Sequence, residues 1–105
     1  MLWRFVYLDA WLLFLYKVPH EPSSRRVYVW RQLKRLDATL LQDSVWVLPM
    51  SPRSLAQLQR LAREIHQLGG NALLWEAHLT GTEQDDVLKD VLQSQKEQLS
   101  RFSRH

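Results

Sequence analysis

Lys17, His20, Arg25 and Arg26 stand close together in "YKVPHEPSSRR", where an apolar run gives way to a polar loop and then a helix. Lys17 and His20 beside Arg25 could hold a small oxyanion at a helix start, where backbone N–H groups already point outward. A capped loop carrying ordinary surface charge accounts for the same residues. The helix that follows, "RVYVWRQLKRL", adds Arg31, Lys34 and Arg35 on the side opposite Val29, Leu33 and Leu36, with Trp30 at the apolar margin. Arg25, Arg26, Arg31, Lys34 and Arg35 form the kind of cation cluster that phosphates seek, since each neutralised phosphate releases counterions. A solvated helix face is the plainer alternative. Tyr28 lies near the basic side and suits either stacking or packing. Arg53, Arg60 and Arg63 occupy the polar side of a second helix, where Glu64 is placed to pair with Arg60. They extend the basic surface only if both helices face one partner.

Other chemistry finds little support. Asp9 precedes the first strand, Asp43 sits in a turn, and Asp85, Asp86 and Asp90 open the last helix, where the dipole favours them. No two carboxylates converge from strand ends. The absence of cysteine removes disulfides, thiolate nucleophiles and Cys-based zinc sites. His20, His66, His78 and His105 show no paired metal-ligand spacing. Ser23, Ser24 and Ser51 read as helix caps, and the glycine pair at 69–70 lacks a phosphate-loop context. The sequence reads as a binder that is not an enzyme and needs no cofactor.

A chain of 105 residues makes one domain and buries roughly two-thirds of its unfolded surface. The 46% apolar and 24% charged content is globular, and five Trp bring heavy burial. Ten Lys or Arg face five Asp or Glu up to His66, while residues 67–100 hold two against six. One part is basic and another acidic, so an anionic partner suits the first. Arg4 and Asp9 interrupt the apolar start, and no small-residue cleavage site follows. It also falls short of the roughly 18 apolar residues that a membrane span requires. These features lead us to expect a cytoplasmic, soluble protein with no membrane partner.

Residues 11–18 read as a buried strand closed by Pro19, followed by a helix capped by Ser23 or Ser24 and running to about Leu36. Short strands are expected at 38–42 and 44–49 with Asp43 between them. The clearest helix starts at Ser51 and Pro52, buries Leu55, Leu58, Ala62 and Ile65, and ends at Gly69. A strand at 71–79 follows. The order β-α-β-β-α-β predicts an α+β, ferredoxin-like fold, a four-stranded antiparallel sheet with two helices on one face. Residues 1–81 make that domain. Residues 82–105 add an amphipathic helix capped by Thr82, whose stripe of Leu88, Leu92, Gln95, Leu99 and Phe102 must cover the open sheet face, a second subunit or a further domain.

Four blocks, the strand ending in "KVP", "RVYVWRQLKRL", "LLQDSVWVLP" and "LAREIHQLGGNALLWEA", resemble the N-terminal domain of the ChrB family of chromate-resistance proteins. They span about residues 11 to 79. The plan is also similar to the small CRISPR-associated integrase subunit and to the C-terminal region of phenylacetate-type repressors. In those CRISPR relatives the first strand usually ends in a metal-holding Asp. Lys17 stands there in this chain and cannot ligate a metal. Asp37 follows the basic helix where a glycine would be expected.

The resemblance implies a bacterial regulator that grips promoter DNA and changes that grip when chromate appears. ChrB-like proteins generally continue into a second domain, where the oxyanion could be sensed. The expected module is a homodimer. Its phosphate contacts would come from Arg25, Arg26, Arg31, Lys34 and Arg35, with Arg53, Arg60 and Arg63 as flanks. A protein–protein interaction module without nucleic acid, and a degenerate nuclease-like domain, are the competing readings.

Overall fold

The computed structural model describes the backbone of residues 10–42 and 45–103, and the side chains of all of these except 42, 82 and 98–103. Asp9, Asp43 and His105 therefore lie outside the described residues, as do the side chains of Thr82, Leu99 and Phe102.

The central strand β1 (Ala10–Lys17) pairs antiparallel with β3 (Val45–Pro49) on one side and β4 (Asn71–His78) on the other. A short β2 (Thr39–Gln42) lies outside β3, giving the order β2-β3-β1-β4. Helices α1 (Ser23–Arg35) and α2 (Pro52–Gln67) each present an apolar stripe to the sheet, as their sequence period requires. With the final helix α3 (Thr82–Ser103), this is the ferredoxin-like α+β architecture.

Alternation sorts β1 between two cores. Leu12 and Phe14 join Val29, Leu33, Trp46, Leu48, Leu58, Leu61 and Ile65 beneath α1 and α2. Each fully buried Leu, Ile, Val or Phe contributes about 1.5–3 kcal/mol relative to exposure. Leu61 was absent from the apolar face expected for α2, although it follows Leu58 by one turn and shares its side. Trp11 faces the other way and meets Val47 and Leu92, with Leu13, Leu41, Val45 and Leu88 around them. The α3 stripe therefore covers part of the open sheet face, and Lys96 pairs with Asp37 at 3.1 Å. The covering is incomplete. Leu73 and Trp75, opposite Leu15 and Leu13 in the register, remain 57% and 54% exposed.

Ser51 caps α2 as expected, accepting from the Ser54 N–H at 3.0 Å. The cap expected of Ser23 or Ser24 is corrected. Pro22 occupies the cap position of α1 without a side-chain bond, and its carbonyl accepts from the Arg25 N–H at 3.2 Å. Proline has no side-chain acceptor, and both serines lie inside the helix.

The two helices end alike. Asp37 N–H donates to Lys34 and Ala38 N–H to Leu33, while Gly69 N–H donates to His66 and Gly70 N–H to Ile65. Both are Schellman closures with a left-handed residue, Asp37 at φ 61° and Gly69 at φ 90°. So Asp37 builds the same turn a glycine would. Gly70 is fixed by space: a Cβ there would lie 2.1 Å from the Lys17 carbonyl oxygen.

Candidate nucleic-acid interface and cleft

Because α1 and α2 enter one core cluster, their polar sides form one continuous surface. Arg31 and Arg35 on α1 and Arg53, Arg60 and Arg63 on α2 are exposed. Lys34 is half-buried, its Nζ 5.5 Å from the Trp30 ring centroid. Such a contact is worth about 0.5–1 kcal/mol at an exposed site and leaves the cation at the surface. A groove of about 350 Å³ runs between the helices, lined by Tyr28, Gln32, Arg35, Gln57, Arg60 and Glu64 among others. Arg53 and Arg63 flank the surface without lining this groove.

Glu64 is the anion inside that groove. It holds Arg60 at 3.2 Å, as its spacing indicated, and accepts a hydrogen bond from the Tyr28 hydroxyl. The bond to Glu64 pushes the Tyr28 phenol above its ordinary value, with burial and the carboxylate charge adding to it. Tyr28 thus packs helix to helix.

The cations of the α1 start do not converge. Arg25 is half-buried, and its Nη1 donates to the Leu68 carbonyl at 3.0 Å, one of the orphan acceptors at the end of α2. Lys17 and His20, its expected partners around an oxyanion, line a cleft to which Arg26 contributes instead. Arg26 Nη1 lies 3.5 Å from His20 Nδ1.

That cleft, of about 640 Å³, is lined by Tyr16, Trp30 and the buried Trp46 together with Lys17, His20 and Arg26. Gly70 permits the close approach of β4 to the end of β1 that forms its floor. Burial pushes the Tyr16 phenol up, against the nearby Arg26 charge and the Trp46 hydrogen bond, which pull it down. Tyr16, Trp30 and Trp46 were not foreseen as site residues. Arg26 and Trp30 are four apart and share a helix flank, a usable signal, but the strand aromatics reach the cleft only through the sheet register.

Among the described residues no group of three or more His, Cys, Asp or Glu gathers that could hold a metal ion. No described helix is long and apolar enough to cross a membrane.

The architecture and surface define a small ferredoxin-like domain with a basic helix layer. The family model described as Protein ChrB, N-terminal, matches residues 26–102, so the chain belongs to the ChrB N-terminal domain family of chromate-resistance proteins. Protein ChrB of Cupriavidus metallidurans is 33% identical over 76 residues, covering 72% of this chain and 24% of that relative. The chain thus spans about a quarter of the length of the curated relative it matches. No solved structure matches it.

Proposed function

We propose that the chain is the DNA-binding module of a bacterial chromate-resistance regulator, holding promoter DNA through the outer side of α1 and α2. The observation that carries this reading is the shared exposure of Arg31, Arg35, Arg53, Arg60 and Arg63 on two adjacent helices of one sheet face. Lys34 stands beside them, whereas Arg25 serves structure and Arg26 faces the cleft. These are phosphate contacts, which fix position and orientation on a duplex and carry no sequence information. Membership of the ChrB family supports the regulatory role, and chromate would act on the whole protein. Fluorescence-anisotropy titration with the chain's own upstream DNA at two salt concentrations tests it. Binding that falls steeply with salt is expected, and no binding at low salt would overturn the reading.

A second reading, an interaction module that associates with a second copy, is favoured by one observation. Edge strand β4 carries Leu73 and Trp75 exposed, with Glu76 as its one acidic residue. Sedimentation velocity across a concentration series decides it. A dimer that Trp75→Ser dissociates supports this association, and a monomer at every concentration removes it.

A further inference from the structure

The cleft between the end of β1, the start of α1 and the α2–β4 turn has no part in the helix-face reading. Its size and lining are informative together. At about 640 Å³ it falls within the roughly 300–1,000 Å³ of sites for drug-sized ligands, far more room than one tetrahedral oxyanion fills. Its lining is mixed in a specific way. Arg26, Lys17 and His20 supply positive charge or N–H donors, and Tyr16 and Trp30 supply ring surface beside the buried Trp46. Trp30 is 36% exposed and lines the cleft, with Lys34 Nζ 5.5 Å from its ring centroid as a further cation beside the stacking surface. A second, shallower hollow lined by Tyr16, Ser23, Arg26, Val27 and Trp30 shares three of these residues and extends the same surface along α1.

A bare oxyanion would use the cations and leave the rings idle, and an apolar ligand would do the reverse. A ligand carrying a planar aromatic ring and a phosphate uses both: base–aromatic stacking is worth about 1–3 kcal/mol per base. An arginine–phosphate contact adds charge-assisted, geometrically specific hydrogen bonds. The flexible Lys17 acts as a point charge beside it. We propose that this cleft binds a nucleotide, with the base stacked on Trp30 beside Tyr16 and the phosphate held by Arg26 and Lys17. The nucleotide is either free or the unpaired end of a strand, which share this chemistry. The site is separate from the α1–α2 surface, so it stands or falls independently of the duplex-binding reading.

Isothermal titration of the purified chain with adenosine 5′-monophosphate, adenosine, ribose 5-phosphate and inorganic phosphate tests the proposal, because only the first combines ring and charge. The monophosphate should bind at least about tenfold more tightly than each of the other three. Arg26→Ala and Trp30→Leu should each weaken it about tenfold, while Glu83→Gln, exposed on α3, leaves it unchanged; a thermal melt confirms that each variant is folded. A single-stranded tetranucleotide with a 5′-phosphate separates the sources. Tighter binding than the mononucleotide points to a strand end, and equal binding to a free nucleotide. Inorganic phosphate binding as well as the monophosphate would reduce the cleft to an anion site and overturn the proposal. So would the absence of binding by both the mononucleotide and the tetranucleotide, or full retention of monophosphate affinity in Arg26→Ala.

Discussion

The Arg25 guanidinium donates to the Leu68 carbonyl at 3.0 Å and ties the first turn of α1 to the last turn of α2. A residue that reads as a phosphate contact is thereby a helix-end partner. Charged donors to neutral acceptors contribute about 1.5–3 kcal/mol when partly shielded, and Arg25 is half-buried. Arg25→Ala should lower stability by about 1–2 kcal/mol in urea denaturation while DNA affinity falls less than for Arg31→Ala. A larger loss of affinity at Arg25 than at Arg31 contradicts this division.

Glu64 sits in the basic groove and engages Arg60. Glu64→Gln keeps an acceptor for Tyr28 and removes the negative charge. Duplex affinity at low salt should rise about three- to tenfold, and the gain should shrink as salt screens the surface. Anisotropy titration reads both, and weaker binding by the variant would place DNA away from α2.

The hydrogen bond to Glu64 keeps Tyr28 protonated to higher pH in the folded state than in the unfolded chain. Its contribution is fully present below the ordinary tyrosine value of about 10 and is lost as pH rises through the higher folded value. Tyr28→Phe should therefore show a shallower loss of stability above about pH 10 than the parent. The residual slope belongs in part to Tyr16, raised by burial. Because Tyr28 is exposed, the difference is small, and parallel curves would contradict it.

The two Schellman closures respond in opposite ways to substitution. Asp37 takes the left-handed conformation at a cost of about 1 kcal/mol, and its ion pair with Lys96 is solvent-exposed. Asp37→Gly should raise the melting temperature or leave it unchanged. Gly70→Ala forces a Cβ to within 2.1 Å of a backbone oxygen and should cost at least about 2–3 kcal/mol. A stable Gly70→Ala would mean that β4 and the end of β1 separate easily.

Much of this fold is legible in the residues. Ser51 and Pro52 at one end of α2 and Gly69 at the other mark that helix, and its apolar spacing marks its buried side. The strand and helix order predicted the sheet, with boundaries shifted by about a residue. The outer basic surface was legible too, because helix periodicity alone places Arg31, Arg35 and Arg60 away from Val29, Leu33 and Leu58. What periodicity does not carry is long-range pairing. Arg25 meets Leu68, Tyr28 meets Glu64 and Lys96 meets Asp37 only after the sheet has ordered the helices. The same holds for the aromatic cleft, whose rings come from β1, α1 and β3.

The most direct test of DNA binding through the helix layer is charge reversal at Arg31 and Arg35 together, assayed by retardation of the upstream DNA. Neither residue makes a described fold-stabilising contact of the Arg25 kind, so the variant should melt near the parent temperature. The proposed function predicts that retardation is abolished at low salt. Retardation equal to the parent's, by a folded variant, would contradict it.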